Sequence, residues 1–241
     1  MNSIIMTSGP KFSEKNENGE RKAIKLVNEN LLETLKNEIK AYNNLLFICS
    51  TPDNYKTNEE FSKIIEKSLS LSGFKFQMSD LIDSRNWLFS KSLICNADLI
   101  ILLGGDPIEQ MEFFNNIELK EKLKKYNGCL LGISAGTINM ASQAYCSKDE
   151  KIENTLYYKG LGLTNINIEP HFDIDDNQRI EEILLEDSKK RPFLAIPDES
   201  FVLIKKDKIK LLGEGYYFSA GQYKKIDNDE FVNLYGKNDK R

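Results

Sequence analysis

Apolar residues fall in two periods along the chain. At Ser3–Thr7, 45–49, 98–103 and Cys129–Ile133 they form short, nearly unbroken runs bounded by turn-prone residues such as Ser50-Thr51-Pro52-Asp53. Runs of that kind predict strands buried on both faces, as in a parallel sheet. Between them the spacing lengthens to three and four. Leu31, Leu35 and Ile39 predict one amphipathic helix, and Phe61, Ile64, Ile65 and Leu69 a second, with Gly73 at its C-terminal cap. Polar residues 11–21 read as a loop, while Phe74, Phe76 and Met78 alternate with Lys75 and Gln77 as in another strand. After Leu103 the chain turns through Gly104-Gly105. Asp106 then suits an N-cap, Pro107 the first helical turn and Glu109 the position three past the cap. A Lys/Glu-rich helix is expected from about Ile117 to Asn127-Gly128, and a small-residue helix from Ala135 to about Ala144. The last third changes rhythm. Segments 193–196, 200–205, Lys208–Leu212 and 216–219 are short and separated by Lys206-Asp207 and Gly213-Glu214-Gly215, which predicts hairpins appended to the parallel sheet.

Strands alternating with helices make this an α/β fold, with a largely parallel central sheet, helices on both faces and C-terminal β-hairpins. A length of 241 residues suits a single domain spanning 1–241. With 33 basic and 37 acidic side chains the formal charge is −4, which gives no reason to expect nucleic acid or an anionic membrane as partner. No apolar run approaches the length of a bilayer span, and the start of the chain is too short and polar for a secretory signal, so a cytoplasmic location is expected. Cys49, Cys95, Cys129 and Cys146 are scattered without C-x-x-C spacing and predict buried free thiols rather than a disulfide or metal site.

Candidate chemistry begins at Gly132-Ile133-Ser134-Ala135-Gly136, which follows a predicted strand and precedes a helix-compatible run. A strand-turn-helix elbow is so tight that small residues must flank the nucleophile. It lifts the serine hydroxyl above the sheet edge and turns the next amide, that of Ala135, and the helix dipole toward a developing oxyanion. The plainer alternative is a serine that caps a helix. Leu103-Gly104-Gly105-Asp106 closes another predicted strand; its bare backbone could supply a second oxyanion donor from Gly105, or merely form a turn.

His171 is the only histidine, so a Ser–His mechanism has one possible base. It follows Ile168-Glu169-Pro170, at an expected strand-to-loop transition. A base needs an orienting carboxylate, and Asp149, Glu150, Asp198 and Glu199 are all candidates that spacing alone cannot separate.

Taken in order, Leu103-Gly104-Gly105-Asp106, the Ser134 elbow, Leu161-Gly162-Leu163 through Pro170-His171-Phe172 and Ala195-Ile196-Pro197-Asp198-Glu199-Ser200 resemble the peptidase E and cyanophycinase family of serine peptidases. The resemblance spans roughly residues 98 to 204 and implies a fold like that of class I glutamine amidotransferases. It places the nucleophile at Ser134, the base at His171 and oxyanion donors at Gly105 and Ala135. A third member is implied at Asp149, by its offset from the elbow, or at the later Asp198 or Glu199. Pro107 after Asp106, and Ile133 where aspartyl dipeptidases often carry an aromatic residue, depart from the family pattern.

The expected activity is hydrolysis of small peptides, by an exopeptidase or dipeptidase with a preference for aspartyl peptides, as monomer or homodimer and with no metal or organic cofactor. Two alternatives remain at this point. An esterase of the α/β-hydrolase type shares the elbow but usually places its histidine near the C-terminus, whereas here some 70 residues follow His171. A binding or regulatory module on the same fold would account for loss of Ser or His, and both are present. A glutaminase would carry Cys at the elbow, where this chain has Ser134.

Overall fold

The computed structural model describes residues 2–150, 152–206 and 208–236. The first half runs β1 (Ser3–Thr7), β2 (Ser13–Lys15), β3 (Arg21–Ala23), α1 (Glu29–Glu38), β4 (Asn44–Ile48), α2 (Tyr55–Leu71), β5 (Met78–Ile82), α3 (Ser90–Asn96), β6 (Leu99–Leu102), α4 (Pro107–Asn116), α5 (Leu119–Leu123), β7 (Cys129–Ile133) and α6 (Ala135–Ile138). There follow β8 (Gln143–Cys146), β9 (Leu156–Lys159), β10 (Ile168–Glu169), α7 (Asn177–Arg179), a π-helical turn at Ile180–Leu184, α8 (Leu185–Lys190) and β11 (Phe193–Ala195). The chain closes with β12 (Phe201–Lys205), β13 (Lys208–Leu212), β14 (Gly215–Ser219), β15 (Gln222–Ile226) and α9 (Asn228–Tyr235).

The main sheet has the order β13-β12-β1-β7-β6-β4-β5, parallel from β1 to β5 and antiparallel at β12 and β13. Side chains along its parallel strands alternate between two cores. Ile4, Met6, Leu46, Ile48, Ile100, Leu102 and Leu130 face α3, α4 and α5, while Ile5, Leu45, Phe47, Leu99, Ile101 and Leu131 face α1 and α2. Both faces of every central strand are therefore dry, and the continuous apolar runs follow from that. A second sheet, β10-β11-β14-β15, carries a third core of Phe172, Leu184, Phe193, Tyr216 and Phe218.

The strand order of the parallel half is as expected, and Asp106 caps α4 by accepting from the amides of Ile108 and Glu109, each at 2.9 Å. Helix α3 was not expected, α5 is shorter than the helix expected from Ile117 to Asn127, and four further details differ. Residues 11–21 include β2, which pairs with β3 as a hairpin. The strand expected around Phe74–Met78 begins only at Met78, because Phe74 is drawn into the core beside α2 instead of alternating along a sheet edge. The helix after Ser134 stops at Ile138 rather than near Ala144. Carbonyls that would continue it are taken elsewhere: Asn139 accepts from the amide of Leu161 (2.8 Å), Met140 from Leu163 (2.9 Å) and Ala141 from Gly162 (3.2 Å). Gln143–Cys146 is consequently free to pair as β8 with β9. Finally, only the β12–β13 hairpin extends the main sheet; β14 and β15 join β11 in the second sheet.

Candidate active site

The carboxyl ends of β1, β7 and β6 lie side by side, with Thr7 opposite Ile133 and Leu102 opposite Gly132. Open α/β sheets gather their sites at this edge. Ser134 sits just past β7 with φ 50° and ψ −109°, a conformation L-residues avoid unless the surroundings impose it. Here its amide is shared between the carbonyls of Thr7 (3.2 Å) and Ser8 (3.1 Å), and Thr7 Oγ1 donates to the Gly132 carbonyl at 2.6 Å. The flanking glycines are dictated by space. A Cβ on Gly136 would lie 2.4 Å from the carbonyl oxygen of Leu102, and one on Gly132 would lie 2.9 Å from the amide of Thr137. Helix α6 is a single turn, so the Ala135 amide, rather than a long helix dipole, is what the elbow offers to an oxyanion.

His171 comes from the other sheet. It follows β10 with φ 56°, and the next residue, Phe172, is buried against Tyr216 and Phe218 at ring separations of 4.8 and 5.7 Å. That anchor turns the imidazole toward the main sheet. Its Nε2 lies 2.8 Å from Ser134 Oγ and its Nδ1 2.7 Å from Asp198 Oδ1. With Nδ1–H donated to the carboxylate, Nε2 is left as the acceptor for the serine hydroxyl. Asp198 reaches this point because β12 is antiparallel to β1, pairing Phe201 with Thr7, so the residues preceding β12 arrive at the edge where β1 ends. Partial desolvation pushes the Asp198 carboxyl up, but hydrogen bonds from His171 and Ser8 and the nearby imidazole outweigh it, and the group stays below the usual aspartate range. The His171 and Asp198 side chains are 52% and 58% exposed, so the contact chain opens to solvent and to any incoming molecule.

A cleft of about 270 Å³ adjoins Ser134 and His171. Gly105 and Ala135 border it on one side, and among the described residues neither amide has an acceptor within the chain. Gly105 has φ 142°, and a Cβ there would strike Ser50 Oγ at 2.1 Å, so only glycine fits. Polar groups line the cleft as well. Ser147 donates to both oxygens of the buried Glu169 (2.8 and 2.9 Å), and Arg179 donates to Glu169 (2.6 Å) and to the Lys148 carbonyl (3.0 Å). Burial pushes the Glu169 carboxyl up, against the pull of the Arg179 charge and the hydrogen bonds it receives. Among the described residues no group of three or more His, Cys, Asp or Glu side chains is arranged to hold a metal ion.

Four of the expected residues, Ser134, His171, Gly105 and Ala135, meet in this cleft. Asp149 also lines it, and its Oδ1 accepts from the Ile152 amide at 2.8 Å. Glu150 is exposed on the same loop. Glu199, next to Asp198, points the other way and accepts from the Lys11 amide at 2.6 Å, holding the loop after β1. Of the four candidate carboxylates, Asp198 is the one in contact with His171. Ser8, Ser147 and Arg179 were not singled out from the sequence. Ser8 carried a usable signal, its place at the end of a buried strand, whereas nothing local marks Ser147 or Arg179.

All four cysteines are free; Cys49, Cys129 and Cys146 are buried, but Cys95 is exposed on α3, contrary to the expectation for it. Desolvation pushes each of the three buried thiols up to about 12, far from the thiolate form that reacts. A thiol titration of the native protein with a disulfide reagent should therefore modify Cys95 alone, and all four cysteines once the chain is unfolded. Rapid native labelling of Cys146, which borders the cleft, would contradict this placement.

Residues 4–212 match the sequence model of peptidase family S51. Over 193 residues the chain is 25% identical to peptidase E of Nostoc sp. (strain PCC 7120 / SAG 25.82 / UTEX 2576), which covers 73% of this chain and 78% of that protein. The 1.5 Å crystal structure of a candidate peptidase E protein from Listeria monocytogenes EGD-e superposes with a TM-score of 0.60 over 88% of this chain and 98% of the other. At 13% identity that likeness is one of fold.

Proposed function

The chain belongs to peptidase family S51 and is a serine peptidase, and we propose that Ser134, His171 and Asp198 are its catalytic triad, acting on small peptides. The observation that carries this reading is the unbroken contact chain from Ser134 Oγ to His171 Nε2 (2.8 Å) and from His171 Nδ1 to Asp198 (2.7 Å), placed beside two unused amides. In the first step His171 takes the Ser134 proton as Oγ attacks the scissile carbonyl, and the oxyanion is held by the amides of Gly105 and Ala135. The imidazolium, stabilised by Asp198, then protonates the leaving amine. Water, activated by the same imidazole, attacks the acyl-enzyme and releases the carboxylic acid, restoring Ser134. Asp149 takes the role of a cleft-wall residue in this scheme, and Glu199 that of a loop tie.

The size of the cleft suits one or two residues of substrate, which supports a dipeptidase or exopeptidase reading. Arg179 is the one Lys or Arg that lines it among the described residues. Its side chain is 30% exposed even while paired with Glu169, and a guanidinium carries more N–H donors than that pairing uses, which leaves some for an aspartyl carboxylate. A panel of dipeptides varying the N-terminal residue should show aspartyl peptides cleaved fastest. Arg179→Lys keeps a charge beside Glu169 but loses the planar fork, and should lower kcat/KM for those peptides by about tenfold, the scale of one charge-assisted hydrogen bond. Neutral dipeptides should change much less. Equal losses across the panel, or faster cleavage of neutral peptides by the unmodified chain, would overturn the aspartyl preference.

A further inference from the structure

We infer that Ser8 is a positioning residue for this reaction, setting the Asp198 carboxylate and the His171 backbone from one hydroxyl. The inference rests on the proposed triad. Ser8 lies directly past β1, with none of its surface exposed. Its Oγ accepts from the His171 amide at 2.6 Å and donates to Asp198 Oδ1 at 2.8 Å. The same carboxylate oxygen accepts from His171 Nδ1, so one rigid donor on the strand end and the imidazole meet at one atom. The neighbouring residue completes the seat. A Cβ on Gly9 would fall 2.5 Å from Oδ1 and 2.8 Å from Cγ of Asp198, so the bare Cα lets the carboxylate settle against the main chain.

This seat answers a specific mechanical need. Asp198 and His171 are both more than half exposed, and exposed side chains hold a single rotamer only when tied to something fixed. His171 has a left-handed backbone, φ 56°, which costs energy in a residue with a Cβ unless its amide is held. Ser8 supplies both ties from the end of a strand buried between β12 and β7. It touches no reacting atom, and its influence passes through Asp198 and His171.

Because the chain has a single histidine, the ring N–H proton of His171 is one unambiguous NMR resonance. Ser8→Ala should lower kcat by about 10- to 100-fold, the range known for partners that orient metal-ligating side chains, leave KM nearly unchanged and move that resonance toward the position of a free imidazole. In an Asp198→Ala background the same change should cost clearly less, because only the tie to the His171 amide is then left to lose. Wild-type kcat with an unmoved resonance in Ser8→Ala, or an undiminished loss in the Asp198→Ala background, would overturn the inference while leaving the triad standing. Wild-type turnover by Asp198→Ala itself would remove the triad and this role together. Should Ser8→Ala not fold, Gly9→Ala carries the test. It keeps the hydroxyl but pushes the carboxylate off its seat, and a folded Gly9→Ala protein with wild-type kcat would refute the inference.

Discussion

Ser134→Ala should abolish peptide hydrolysis, with kcat falling by about 10⁶ as in other serine peptidases that lose the nucleophile. The effect is large because one atom is both the attacking group and the site of the covalent intermediate, and Oγ is the only reactive atom the elbow presents. The fold should survive. Ser134 is held by its backbone, through the carbonyls of Thr7 and Ser8, and alanine can occupy the same strained φ and ψ no worse than serine does. His171→Ala should be comparably inactive, since no second imidazole exists to replace it. Dipeptide hydrolysis measured beside circular dichroism separates loss of chemistry from loss of fold. Normal turnover by a folded Ser134→Ala protein would end the assignment of the nucleophile.

Asp198→Asn should lower kcat by about 10⁴, the cost of presenting a triad histidine in the wrong tautomer. An amide nitrogen in place of Oδ1 would donate toward Nδ1, driving the ring proton to Nε2, where it faces the Ser134 hydroxyl and cannot accept from it. The imidazolium would also lose its counter-charge. The comparison that gives this result meaning is with the two other carboxylates the family pattern suggests. Asp149→Asn removes a group from the cleft wall, on a loop it helps to close through the Ile152 amide, and should cost far less in kcat. Glu199→Gln weakens a tie to Lys11 and should be read in thermal stability more than in turnover. Steady-state kinetics of the three variants at one pH would decide among them. If Asp149→Asn proved the most damaging, Asp198 would be reduced to a bystander.

How much of this was legible beforehand depended on the range of the interactions involved. The parallel strands announced themselves because burial on two faces writes an unbroken apolar run. Ser134 was visible as a local motif, since the packing of Gly132 against α6 and of Gly136 against β6 constrains neighbouring positions. His171 stood out through being alone. Asp198 could not be chosen over Asp149, Glu150 or Glu199, because its position follows from the antiparallel pairing of β12 with β1, nearly two hundred residues apart in sequence. The length of α6 was hidden for the same reason: the carbonyls of residues 139–141 just past it are captured by residues 161–163, and nothing in the small-residue run itself signals the capture. Ser8, one residue past the expected strand Ser3–Thr7, was not singled out, because its role depends on two loops brought to it from the far end of the chain.

The two sheets give the site an unusual dependence. Ser134 belongs to the main sheet, His171 is moored by Phe172 in the aromatic core of the second, and Asp198 rides on the segment that crosses between them. The proposed nucleophile and its proposed base thus sit on opposite sides of the seam between the two sheets. Under the proposed mechanism turnover depends on how the two sheets pack together, since a displacement of one against the other would lengthen the contact between Ser134 Oγ and His171 Nε2.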